Sequence, residues 1–237
     1  MKNIFNILRR EFSAYFNSPI AYIFITAFLI INNWLFFNSF FIGNQANMRP
    51  FFSLLPWIFL FFVPAISMRL WAEEKRLGTF ETLMTLPVRD YEVVVGKYLA
   101  GFLFLSLAII LTATVPVTIA YIGALDKGPV IGGYIGAILL GGAYLAIGIF
   151  ASGLTVNQVI GFLTALSITF ILLIIGENFL NLSGPVAAIA KPFALGIHFE
   201  NISRGAIDTR DIFYYFSVIV FFLSLNVWSI GSRKWPG

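Results

Sequence analysis

MRLWAEEKRLGTFETLMTLPVRDYEVVVGKYL, residues Met68 to Leu99, decides how the rest of the chain is read. It holds five of the eleven acidic residues (Glu73, Glu74, Glu81, Asp90, Glu92) and five basic ones (Arg69, Lys75, Arg76, Arg89, Lys97). Between two long apolar runs, that charge density predicts a segment in water. A short helix with legible ends lies inside it. Gly78 suits the position just past a helix, where φ is positive and a side chain is penalised. Thr79 is placed to cap the next helix, and Glu81 falls in its first turn, favourable to the helix dipole. Pro87 stops it, because the residue before a proline is biased away from helix. Phe80, Leu83 and Met84 then share one face by the i, i+3, i+4 rule. Two turns cannot span a bilayer, so that face is expected to need a cover.

Composition sets the class. Of 237 residues, 59% are hydrophobic and 11% charged, with a mean hydropathy of +0.90; a soluble domain is typically about a quarter charged. The reading is an all-α integral membrane protein, one domain over residues 1–237. The net charge of +4 does not point to nucleic acid, because the basic residues cluster at membrane edges. With no cysteine there is no disulfide framework and no thiol chemistry. The basic start followed by an apolar run resembles a signal peptide, but the run is too long and no small-residue cleavage site follows, which predicts that it is retained.

Outward from the opening stretch, the chain divides into helices. Residues 1–18 sort Ile4, Phe5, Leu8, Phe12, Tyr15 and Phe16 to one side, the pattern of a helix lying flat in the headgroups. Six spans are expected: 20–42, 51–70, 91–121, 130–152, 159–175 and 212–230. The first covers roughly 33 Å at 1.5 Å per residue, enough to cross. Pro56 and Pro64 are expected to kink the second, and Asp90 to cap the third. The fourth is rich in small residues, Gly132, Gly133, Gly136, Ala137, Gly141 and Gly142, which let helices approach closely in lipid; packing within the chain is the plainer use for them. Residues 71–90 form the charged segment. Residues 176–210 hold Pro185, Pro192 and apolar pieces too short to cross. Irregular backbone at membrane depth survives only when buried in protein or lining a cavity, so re-entrant half-helices on the outer side are expected there. Asp208 caps the last span.

The basic residues fix the orientation. With both ends inside, the inner side holds Lys2, Arg9, Arg10, Arg69, Lys75, Arg76, Arg89, Lys97, Arg233 and Lys234, ten of the fifteen. The amphipathic helix is then cytoplasmic, as are both termini. There is no phosphate-binding loop and no metal-ligand set, since His198 is the only histidine. Glu177 is the one acid close to a span interior. A proton or ion role would need partners, and a carboxylate at the outer interface beside Asn178 is the plainer reading. His198 reads as pocket-lining rather than ligating. The chain carries no engine of its own.

These features together resemble the transmembrane subunit of an ABC transporter of the ABC-2 (type-2 exporter) family. The flat N-terminal helix, six spans, charged segment after the second span and outer half-helices before the sixth match its layout. Ala72 to Val88, AEEKRLGTFETLMTLPV, resembles the family's coupling helix. His198 to Tyr215, with Ser203-Arg204-Gly205 and Asp208-Thr209-Arg210-Asp211, resembles a gliding-motility-associated subgroup of these permeases.

The resemblance implies a non-catalytic permease in the cell inner membrane. Its partners would be a cytoplasmic ABC ATPase subunit, which holds the ATP and Mg, a second membrane subunit and membrane lipid. Glu73, Glu74, Arg76, Gly78, Thr79, Phe80, Glu81, Leu83, Met84 and Pro87 would occupy coupling positions, with Phe80, Leu83 and Met84 docking on the ATPase. Glu177, Pro185, Pro192, His198 and Gly205 would belong to the outer gate segment. A loop that merely joins two span ends is the plainer reading of the charged segment, but it does not require a sorted apolar face. Two other classes stay open. A secondary transporter would want inverted repeats or paired intramembrane charges. A membrane anchor that transmits force without moving substrate would show the same charged segment but usually needs a larger outer domain.

Overall fold

The computed structural model describes residues 2–43, 47–85, 87–175, 191–206 and 208–232, and among these there is helix and no strand. In chain order the helices are α1 (Lys2–Phe16), α2 (Pro19–Gly43), α3 (Arg49–Ser67), α4 (Arg69–Leu77), α5 (Thr79–Thr85) and α6 (Asp90–Leu111). There follow α7 (Thr114–Ile122), α8 (Lys127–Leu154), α9 (Gln158–Ile174), a 3-10 turn at Lys191–Phe193, α10 (Leu195–Ser203) and α11 (Thr209–Gly231).

Five stretches are long and apolar enough to cross a membrane: Pro19–Phe40, Arg49–Leu77, Asp90–Ile122, Lys127–Leu154 and Thr209–Gly231. The expected fifth span is α9, an apolar helix of 17 residues, about 25 Å at the usual rise. α8 is the centre, packed against α3, α4, α6, α9, α10 and α11. Its small residues explain why. A Cβ at Gly133 would overlap the Phe52 ring, one at Gly141 would sit 2.7 Å from Leu105 Cδ2, and one at Gly148 would overlap the Ser67 side chain. The glycines thus serve packing within the chain, and neighbouring helices close onto α8 to distances a side chain would forbid.

Three boundaries differ from expectation. The second span, expected unbroken over 51–70 with Pro56 and Pro64 inside it, runs through both prolines as α3 and is interrupted at Met68, whose N–H bonds to the Pro64 carbonyl at 2.9 Å. The third span is two helices broken at Thr112–Ala113, one turn ahead of Pro116. Proline lacks the N–H that would have bonded the Thr112 carbonyl; that carbonyl accepts from the Val115 N–H at 2.9 Å, while the Thr112 hydroxyl donates to the Ile109 carbonyl at 2.6 Å and lies 3.0 Å from the Tyr134 hydroxyl. The residue preceding α6 is Arg89, not Asp90; its backbone N–H is taken by the Glu92 carboxylate at 3.0 Å. Asp208 does cap α11, accepting from the Arg210 N–H at 2.9 Å.

The amphipathic α1 is docked rather than free. Ile7 is buried and fills the space that a Cβ at Gly96 of α6 would take, and Tyr15 stacks on Phe104 with centroids 4.7 Å apart.

Candidate functional site

The elbow formed by α4 and α5 is built at the break after α3. There the Ser152 hydroxyl of α8 uses all its capacity: it accepts from the Trp71 and Ala72 N–H groups, both at 3.1 Å, and donates to the Met68 carbonyl at 2.8 Å. Those are donors and an acceptor that an unbroken helix would have paired for itself. Lys75 donates to the Gly153 carbonyl one residue on. Gly78 then turns the chain with φ 72°, its N–H bonding the Lys75 carbonyl at 3.3 Å, and α5 leaves in a new direction. The expected helix–glycine–helix pattern is present. Thr79, however, does not cap α5; its hydroxyl donates backward to the Glu74 carbonyl at 3.3 Å and closes the turn.

The apolar face of α5 exists but is turned inward. Leu83 is buried, and Phe80 and Met84 are half-buried against the core. Phe80 meets the buried Trp71 edge to face, centroids 5.8 Å apart, with the Lys75 ammonium 5.4 Å from its ring. The chain itself thus supplies part of the cover that the sequence demanded. What lies exposed is the other side: Arg76, Leu77, Gly78, Thr79, Glu81, Thr82, Thr85 and Pro87.

Nor do all the charges of the opening stretch lie in water. Lys97, on the second turn of α6, is 1% exposed. Its ammonium lies 2.8 Å from Glu74 Oε1 of α4 and 3.1 Å from Glu11 Oε1 of α1, and 5.0 Å from the Trp71 ring. Arg10 reaches Glu11 at 2.6 Å and Glu74 at 3.5 Å. Burial favours the neutral Glu11 carboxyl, but the charge of Lys97 and the bonds from Arg10 and Lys97 hold it below the usual glutamate value. Arg69 pairs with Glu73 one turn along α4 at 2.9 Å. The network ties the elbow to α1 and α6 as Ser152 ties it to α8. A cavity of about 570 Å³ opens beside it, between α1, α4, α5 and α6.

Sequence reading named Glu74 but not its partners Glu11 and Lys97, nor Ser152 and Trp71. A signal was there for two of them. Lys97 is the single basic residue in the expected third span, and Glu11 is the single acid before Glu73. A charge at membrane depth needs a counter-charge.

Of the expected outer gate residues, Glu177 and Pro185 lie outside the described residues. Pro192 and His198 come together. His198 Nδ1 is 2.6 Å from Asp211 of α11 and Nε2 is 3.1 Å from the Pro192 carbonyl, while its ring stacks on Tyr214 at 3.8 Å. Tyr214 and Tyr215 donate to the Phe193 and Leu195 carbonyls, both at 2.7 Å. Residues 191–195 are thus clasped to the start of the last span. Gly205, φ 91°, makes the turn after α10 and passes against Gly128 of α8. Among the described residues no group of His, Cys, Asp or Glu could hold a metal ion.

Long apolar helices packed around a glycine-rich centre define a multi-pass membrane protein. The chain belongs to the ABC-2 family of transporter proteins, whose profile matches residues 25–202, elbow included. It is therefore an ABC permease component of the membrane, and permeases of this family generally work with a cytoplasmic ABC ATPase. The gliding-motility subgroup is not distinguished by that match. No curated protein matches the chain.

Proposed function

We propose that the chain is the transmembrane subunit of an ATP-driven exporter, with α4–α5 as the contact through which a cytoplasmic ATPase moves the spans. The ATPase supplies ATP and Mg, and a second membrane subunit completes the substrate route. The assembly sits in the cell inner membrane with both termini in the cytoplasm, six spans per chain, and the segment before α11 as outer gate.

One observation carries this reading. The elbow is fixed to α1, α6 and α8 by buried polar bonds, yet its outward face is uncovered. A push on Arg76, Leu77, Glu81 or Thr82 is delivered to three helices at once, because packed elements move as units rather than deform. A plain connecting loop would need neither the buried lysine nor the serine plug. The coupling role moves from the apolar face of α5 to this polar one, and Phe80, Leu83 and Met84 become its support.

The test is co-purification of the ATPase with the membrane subunit, together with ATP turnover, for Leu77→Asp, Glu81→Arg and Phe80→Ala. The first two should release the ATPase while the membrane subunit keeps its melting temperature. Phe80→Ala should lower that temperature, since it removes a packed aromatic. If Leu77→Asp and Glu81→Arg hold the ATPase like the parent, the elbow is not the docking surface.

A further inference from the structure

The cavity beside the ion network is not explained by coupling, and we infer that it binds the headgroup of a zwitterionic membrane phospholipid, an aminoalkyl phosphodiester with a primary ammonium. Three cations, Arg10, Arg69 and Lys97, and three carboxylates, Glu11, Glu73 and Glu74, line it, a formal sum of zero. A nucleotide or other polyanion would meet three carboxylates at close range, so the favoured ligand carries both signs and no net charge. The spare bonding capacity is likewise of both signs. Arg10 uses only Nη2 in the network, and Arg69 uses Nε and Nη2 on Glu73. Both guanidiniums keep free donors suited to a phosphate. Their side chains are 54% and 31% exposed, and Glu73, at 30%, keeps lone pairs for an ammonium.

Position selects a lipid over a solute. One wall is α1, whose apolar side is that of a helix lying at headgroup depth. The other walls are α4, α5 and the start of α6, and Leu70, Leu83 and Ala14 give the cavity an apolar side. A headgroup entering from the inner leaflet reaches the arginines without leaving the interface. This inference rests on the membrane placement of α1 and not on the ATPase-docking role of the elbow.

The experiment is native mass spectrometry of the full chain in detergent, titrated with phosphatidylethanolamine, phosphatidylcholine or phosphatidylglycerol of matched acyl chains. The first should be retained best. The second lacks N–H donors for Glu73, and the third lacks the cation. Arg69→Gln should weaken phosphatidylethanolamine binding by about tenfold, the loss of one charged hydrogen-bonding partner. Thr82→Trp fills the cavity mouth without touching the ion network and should abolish the preference. Equal retention of the three lipids, or parent-like binding by both variants, overturns the site. Displacement of lipid by equimolar glycerophosphoethanolamine overturns the membrane source, because a soluble headgroup would then suffice. Co-purification of the ATPase with Arg69→Gln keeps the outcome separate from the coupling reading.

Discussion

Lys97 Nζ lies 2.8 Å from Glu74 Oε1, a contact between a lysine 1% exposed and a carboxylate 19% exposed on a different helix. With Glu11 on the far side, the ammonium bridges two carboxylates from within, while Arg10 reaches both from the exposed side. Breaking a buried pair by removing one partner costs about 3–5 kcal/mol, whereas replacing the whole set with apolar groups is often neutral. The partial exposure of both carboxylates places the expected loss for Lys97→Met at the lower end of that range. Thermal unfolding in detergent should show the loss. The triple change Lys97→Met, Glu11→Leu, Glu74→Leu should recover most of it. If Lys97→Met melts like the parent, the network contributes nothing to the fold.

The elbow was legible in the sequence where local chemistry decides it. Gly78 takes the positive φ that its place after a charged helix required, and Phe80, Leu83 and Met84 do share a face. What local pattern could not give was the direction of that face. Trp71, the ring that Phe80 meets nine residues on, reads from sequence as the first residue in water, yet it is fully buried. The pairing within the ion network was hidden for the same reason: the lone Lys97 and the lone Glu11 each called for a counter-charge, but they are 86 residues apart. The break at Thr112 was hidden differently: it falls in an unbroken apolar run where hydropathy is blind to a change of helix axis, and only Pro116 marked it. The cap of α11 was readable because Asp208 acts two residues away, on Arg210.

Glu11 makes the junction of α1 with α6 sensitive to acid. Its carboxyl is held below the usual glutamate value by Lys97 and Arg10 against the opposing effect of burial. A group with a depressed folded-state value stabilises the fold above its unfolded value, and that contribution is lost as pH falls through the folded one. The melting temperature should therefore drop as pH falls below the ordinary carboxylate range, with a cysteine at Ile7 of α1, buried against Gly96 of α6, gaining label over the same window. Glu11→Gln should be less stable at neutral pH and show a shallower acid response. An unchanged acid response in Glu11→Gln would mean that other carboxylates govern it.

Gly132 is where the outer segment meets α8 backbone to backbone. A Cβ there would overlap the Ile202 carbonyl oxygen and stand 3.1 Å from Gly205 Cα, neither of which can rotate away. Gly132→Ala should push α10 off α8 at a cost of about 1–3 kcal/mol, the usual range for overpacking. Gly128→Ala, one turn earlier, meets only the Asp126 carboxylate at 3.5 Å and should be tolerated. Disulfide trapping between cysteines at Gly136 and Phe199, which pack together, reads the displacement. Equal trapping in both backgrounds would show that the outer segment is not seated by this contact.

Ser152 offers the sharpest separation of docking from coupling. Its hydroxyl has one donor and two acceptor sites, and all three are spent on the break between α3 and α4. Ser152→Ala leaves two buried N–H groups and a carbonyl without that partner, a loss of about 1–3 kcal/mol for an unsatisfied group. The exposed face of the elbow is untouched, because Ser152 lies on α8 and is fully buried. The variant should bind the ATPase as the parent does, since docking needs only that outer face. Its ATP turnover should lose the dependence on transport, because an elbow loosened from α8 absorbs the push instead of passing it on. Glu81→Arg should do the reverse and lose the ATPase first. The two variants are compared by co-purification and by ATP turnover in reconstituted membranes. A Ser152→Ala protein that binds and couples normally would show that the hydroxyl fills the helix break without transmitting anything through it.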